Sequence, residues 1–319
     1  MPLTLLPDVA PNAAKASPTG MVLRARSGFY TVHLDDGSQL ECRLRGRVKQ
    51  ERGDSDLVVI GDRVTVAPLG DGEGMIESIA PRRSRFSRRQ PGPRGAWKED
   101  LIVANLDQVL VVFACANPMP HLRMVDRFLV VAEHNEVEAV VVANKVDLVG
   151  LGPARAIFAA YETIGYPVHF ISAREGIGLE ELEDRLIGRV SVVTGPSGVG
   201  KSTLLNAIQP GLRIDTGPVS ETVHKGRHTT TTAELHPLAA SGGGYVADTP
   251  GLRELGLWKI PADDLAWCFP EMRDHLGQCG FNDCRHLAEP RCAVRAAVAA
   301  GQVSEARYDS FRQLLLGDA

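Results

Sequence analysis

Six short stretches of this 319-residue chain carry residue types at spacings that could do chemistry. "GPSGVGKS", Gly195 to Ser202, fits G-x-x-x-x-G-K-[ST] between the apolar run "VSVVT" and the helical run "STLLNAI". Such a loop curls so that its backbone N–H groups face phosphate oxygens, and a helix N-terminus adds a positive dipole end. Gly195, Pro196, Ser197, Gly198, Val199, Gly200 and Thr203 then form or flank the cradle. Lys201 reaches the β- and γ-phosphates, and the Ser202 hydroxyl ligates Mg²⁺. The loop alone suits a kinase or an ATPase as well.

"NKVD", Asn144 to Asp147, narrows the base to guanine. The Asp147 carboxylate can accept hydrogen bonds from the N1–H and N2–H₂ of guanine. Adenine lacks that donor pair, and an unsatisfied carboxylate costs roughly 1–3 kcal/mol. Lys145 can cover the ring, Val146 completes the loop, and Asn144 can tie it to its neighbours. Further on, "ISAREG" offers backbone N–H groups at Ser172 and Ala173 for the guanine O6.

Downstream stands "VADTPG". Here Asp248 can hold Mg²⁺ through water, and the Gly251 N–H can sense a γ-phosphate. "KGRHTTTT" supplies a switch threonine, with Thr230 favoured and Thr229 and Thr231 beside it. After Gly251 comes Leu252, where many enzymes of this chemistry carry a water-orienting glutamine. His228 is the candidate for that duty, with Lys201 and Thr230 as the other catalytic groups and Arg227 as a charge stabiliser. The sixth stretch, "CGFNDCRHLAEPRC", gives Cys279-x4-Cys284-x-His286-x5-Cys292. Three thiolates and one imidazole make a closed shell suited to one structural Zn²⁺. Cys42, Cys115 and Cys268 stand alone and read as buried thiols.

The elements that must position these residues follow from composition and pattern. A hydrophobic share of 44% and a charged share of 23% are those of a globular protein of two or three domains. The opening residues, 1–17, are too short and Pro-rich for a signal peptide and read as a disordered tail, so a cytoplasmic protein with no membrane contact is expected. Residues 18–81 hold short strands and a hairpin signal at Asp36–Gly37. They predict a small barrel of the oligonucleotide-binding type, with an SH3-like barrel fitting nearly as well. Residues 82–100 read as a basic linker, in which "PRRSRFSRRQPGPRGAWK" carries seven cationic side chains and no acidic one. Pro18 to Lys98 balance at +5 and the remainder at −9. "RRSRF" and Trp97 could therefore supply charge and stacking to RNA. Strand–helix alternation over 101–255 predicts a mainly parallel sheet covered on both faces. Residues 256–319 read as a helical, zinc-binding domain.

Along the chain the motifs run base, base, phosphate, switch one, switch two. GTPases usually read phosphate first, so a rotation of the chain explains the order: a circularly permuted P-loop GTPase domain. With the small barrel before it and the Cys/His cluster after it, the chain resembles the ribosome small-subunit-dependent GTPase family over nearly its whole length from about Gly20. That resemblance implies an oligonucleotide-binding-type barrel, zinc at the four matching ligands and His228 as catalyst. It also implies GTP hydrolysis to GDP stimulated by the small ribosomal subunit during that subunit's late maturation, through contact with its rRNA. A monomer is expected.

Overall fold

The structure is a computed structural model, and it describes residues 17–46, 58–91, 97–209, 234–239, 242–248 and 260–317. Five strands build the N-terminal body: β1 (Thr19–Arg26), β2 (Phe29–Leu34), β3 (Gln39–Leu44), β4 (Arg63–Gly70) and β5 (Glu73–Ile79). They close a circuit β1-β2-β3-β5-β4-β1 in which only β3–β5 is parallel. That circuit is the five-stranded barrel of the oligonucleotide-binding type, which decides between the two barrels the sequence allowed. The hairpin expected at Asp36–Gly37 joins β2 to β3, with Leu34 N–H donating to the Ser38 carbonyl at 2.8 Å. Val22, Val32, Val64, Val66 and Ile76 fill the barrel, alternating with outward-facing neighbours.

Residues 82–100, expected to be a linker, are largely a paired ribbon. β6 (Arg85–Pro91) and β7 (Trp97–Ala104) run antiparallel, from Arg85 opposite Ala104 to Pro91 opposite Trp97. The run's basic character masked a strand signal that rests on Phe86 and Val103, both fully buried.

The central sheet then has spatial order β10-β9-β8-β11-β13-β12, the strands being β8 (Gln108–Ala114), β9 (Glu138–Asn144), β10 (Val168–Phe170), β11 (Val190–Thr194), β12 (Glu234–Pro237) and β13 (Tyr245–Asp248). All neighbours are parallel except β12–β13. β8 and β11 are buried at every position, as central parallel strands covered on both faces must be. Period-two alternation splits β8 between two cores. Val109, Val111 and Phe113 face α1 (Leu122–His134) and α2 (Leu151–Ile164), where Phe128, Leu129, Phe158 and Tyr161 meet them. Leu110, Val112 and Ala114 face α3 (Leu179–Leu186) and α4 (Lys201–Ile208), through Leu182, Leu186, Leu204 and Leu205.

Barrel and central sheet are spliced through β1. Val22 points into the barrel, whereas Met21 and Leu23 join the core of the central domain. Arg24 of β1 pairs in register with Glu234 of β12, and their side chains form an ion pair. His33 Nδ1 lies 3.0 Å from the Tyr245 hydroxyl. At the other end, α5 (Ala262–Leu265), two 3-10 turns, α6 (Ala293–Ala299) and α7 (Glu305–Leu316) pack on α1 around Phe269 and Phe311. A buried ionic cluster pins this junction. Arg307 donates to Asp126 at 2.7 Å and to Glu271 at 2.7 and 3.2 Å, while Tyr161 and Ser310 also donate to Asp126.

Candidate nucleotide site and cysteine–histidine cluster

The loop after β11 and the loop after β9 emerge from the same edge of the sheet, separated only by β8. Gly195 starts the phosphate loop at φ +138°, and a Cβ there would stand 2.1 Å from the Val112 carbonyl oxygen of β8. Only glycine allows that approach. Gly200, at φ +95°, caps α4, so the first N–H groups of the helix open toward the loop. Lys201 folds back over its own loop, donating from Nζ to the carbonyls of Gly195 at 2.8 Å and Pro196 at 2.6 Å. That holds the ammonium over the loop mouth. Ser202 is half-buried beside it, Thr203 is exposed, and Val199 anchors the loop in the core.

Asn144, only 2% exposed, joins the two loops. Its Nδ2 donates to the Val199 carbonyl at 2.9 Å, and its Oδ1 accepts from Lys145 N at 2.8 Å and Ala173 N at 3.0 Å. Lys145 adopts a left-handed φ of 65°, and its Nζ donates to the Gly198 carbonyl at 2.7 Å and also to that of Asn117. This turn starts a single 3-10 turn, Val146–Leu148, that leaves the Asp147 carboxylate exposed at the same edge. Base and phosphate motifs fifty residues apart in the chain are thus one hydrogen-bonded unit.

The Ala173 N–H donates to the Asn144 side chain, and the Ser172 N–H donates to the Ile177 carbonyl at 3.0 Å. Ser172 Oγ accepts from Glu175 N at 3.2 Å, so this loop is tied directly to the base loop and to its own turn. Sequence reasoning also missed the Asn117 carbonyl, because the "CANPMP" segment carries no nucleotide motif. Cys115, at the end of β8, is fully buried. Burial, and next the Asp147 charge, push its thiol up to about 11.

β13 ends at Asp248, whose backbone lies opposite Val193 in the strand that feeds the phosphate loop. Arg227, His228, Thr229, Thr230, Thr231, Gly251 and Leu252 lie outside the described residues.

The second site gathers Cys279, Cys284, His286 and Cys292, whose ligand atoms all lie within 4.8 Å of one another. A tetrahedral ion with ordinary zinc bond lengths sets S···S near ~3.8 Å and S···N near ~3.6 Å. Cys279 and Cys292 sulfurs are 4.0 Å apart, and His286 Nδ1 is 3.5 Å from the first and 3.4 Å from the second. Donor set and spacing therefore fit Zn²⁺. Cys292 caps α6, its sulfur accepting from Arg295 N, and Cys279 accepts from Ala293 N. Burial holds the His286 imidazole below its usual range, against the opposing pull of Glu289, which favours the neutral form a metal requires.

A parallel sheet that offers a phosphate loop and a guanine loop from one edge, met in reversed order along the chain, defines a circularly permuted GTPase. Comparison with known proteins agrees. The model of the RsgA GTPase domain matches residues 79–258, and that of the RsgA N-terminal domain matches residues 19–76. A small ribosomal subunit biogenesis GTPase RsgA of Gemmatimonas aurantiaca is 50% identical over 300 residues, covering 93% of this chain and 96% of that protein. Its namesake from Moorella thermoacetica is 43% identical over 296 residues, with 93% and 96% covered. Among solved structures, YjeQ from Thermotoga maritima superposes with a TM-score of 0.77 at 37% identity, covering 94% of this chain and 99% of that one. YloQ, a circularly permuted GTPase, gives 0.73 at 28%, with 97% of both covered. The chain belongs to the RsgA GTPase family.

Proposed function

We propose that this chain hydrolyses GTP to GDP and phosphate in the late maturation of the small ribosomal subunit, and that the subunit stimulates the reaction. The observation that supports it most is the bond from Asn144 to the Val199 carbonyl, which makes base recognition and phosphate binding parts of one rigid edge. In this reading Asp147 selects guanine, Lys145 covers the ring, Asn144 holds the base loop in shape, and the Ser172–Ala173 backbone presents an N–H to the guanine O6. The 195–200 loop and Lys201 grip the phosphates. GTPase chemistry in this family implies Mg²⁺, for which Ser202, Thr230 and Asp248 are the proposed ligands; when bound, the ion neutralises phosphate charge. Leucine at 252 cannot orient water, so turnover by the free protein is slow, and His228 supplies the contact when the subunit docks.

Zinc in the Cys279–Cys284–His286–Cys292 shell is structural, stapling a region whose neighbouring loops bury few apolar residues. The barrel and the C-terminal domain bind the subunit and its rRNA, and the protein works as a cytoplasmic monomer away from membranes. Among the described residues no helix is long and apolar enough to cross one.

The test is phosphate release by the purified protein with small subunits, large subunits or neither. Stimulation by small subunits alone is expected, and equal rates in all three would refute the reading. His228→Ala should remove the stimulated rate and leave nucleotide affinity nearly unchanged.

A further inference from the structure

Among the described residues, Arg127 of α1 breaks a rule that every other half-buried or buried arginine keeps. Arg63 meets the carboxylate of Asp35, Arg82 that of Asp62, Arg185 and Arg189 that of Glu138, Arg273 that of Glu133, and Arg307 that of Asp126. Arg127 is half-buried and makes no ion pair, and its Nε is enclosed without a hydrogen-bond partner. Burial pulls its guanidinium below the ordinary range, with no neighbouring charge to offset it. A charge held in that way is a standing loss of stability that a bound anion would relieve.

Arg127 lines a cavity of about 230 Å³ between α1 and α7, with His121, Arg123 and Met124 on one wall and Gln313 and Leu314 on the other. No carboxylate among the described residues lines it. Arg123 is already matched, by Asp309 at 2.6 Å and by the Gln313 side-chain oxygen at 2.9 Å, which leaves the Gln313 N–H₂ as a further donor. Asp126, next to Arg127 in sequence, is taken by Arg307, Tyr161 and Ser310. Around these donors the surface is apolar: Met124 is 41% exposed and Leu122 39%. Arginine beside exposed methionine and leucine is the composition of a protein-interface hot spot.

The charge to be matched is one, because Arg123 has its own partner. A carboxylate carries one and meets a guanidinium fork to fork, as it does elsewhere in this molecule. A nucleic-acid backbone would bring further charges that the site does not match and would lay them against apolar side chains.

We propose that the Arg127 cavity binds an aspartate or glutamate side chain of a protein partner, with the partner's flanking apolar residues resting on Leu122, Met124 and Leu314. This goes beyond the hydrolysis reading, and its test does not use GTP turnover. The full-length zinc-loaded protein, carrying isotope-labelled arginine, is titrated with a capped leucine–glutamate–leucine peptide. Binding is read by NMR at the Arg127 Nε–H and by saturation transfer to the peptide methyls. A saturable shift is expected, with affinity about tenfold weaker for the leucine–glutamine–leucine peptide, the worth of a charged hydrogen bond. Met124→Ser should weaken binding about threefold, as apolar contact is lost. Arg127→Met should abolish it without lowering the melting temperature, because the free protein gives that charge no partner to lose. GTP affinity should stay unchanged in both variants.

Equal affinity for the two peptides, or none for either, would overturn the proposal. So would a clearly lower melting temperature in Arg127→Met, which would make the arginine structural. Tighter binding of inorganic phosphate than of the glutamate peptide would assign the cavity to a phosphate-bearing ligand such as RNA instead. If Glu254→Gln alone moves the Arg127 signal, the carboxylate is the chain's own and the partner reading fails.

Discussion

Asn144 makes three hydrogen bonds from a buried side chain, so the geometry of guanine recognition depends on a residue that need not touch the base. Its neighbour Gly200 makes the dependence testable. A Cβ there would stand 2.5 Å from Asn144 Nδ2, on a backbone at φ +95°. Gly200→Ala should therefore weaken GTP and GDP alike, by displacing the base loop as well as straining the phosphate loop, at a cost of about 1–3 kcal/mol. Titration with a fluorescent guanine nucleotide measures it. Asp147→Asn replaces an acceptor by a donor. GTP affinity should fall about ten- to a hundredfold, the worth of a charged hydrogen-bond pair. Xanthosine triphosphate, whose C2 oxygen accepts that donor, should gain in the same titration. Phosphate and base residues were legible in the sequence because each motif follows an apolar strand. The engagement of the Ala173 N–H was not, since a backbone donor's partner is set by a loop's path and carries no residue signature.

At the scale of elements, legibility tracked burial. β8, β9 and β11 announce themselves as apolar runs because helices cover both their faces. β12, "ELHP", is four residues ending in proline, too short for a period, and its strand character comes from pairing with β13 and β1. The β6–β7 ribbon was hidden by its arginines. Around the cysteine–histidine cluster, 3-10 turns and the short α6 depend on the four ligands converging. Chelation should raise amide exchange across residues 276–300 and leave nucleotide affinity nearly unchanged. Cys284→Ser should reproduce the effect and release about one equivalent of zinc on metal analysis. Equal exchange with and without chelator would exclude a structural metal.

The molecule as a whole holds together through two unlike joints. The C-terminal domain meets α1 across the Arg307–Asp126–Glu271 cluster, whose three side chains are between 3% and 9% exposed. The two carboxylates keep the Arg307 guanidinium firmly charged despite a burial that opposes it. Arg307→Met would leave two buried carboxylates facing one another, a loss of about 3–5 kcal/mol. Calorimetry should show the C-terminal domain melting earlier, with the nucleotide-protected transition little moved. The barrel is held differently. β1 lies in the closed barrel circuit and also at the rim of the nucleotide sheet, with alternate side chains in each core. A body mounted on a shared beam does not swivel on its tether. Whatever the barrel grips is therefore presented at a fixed bearing to the triphosphate, and a load on that grip arrives at the sheet as torsion instead of dissipating in a loose hinge.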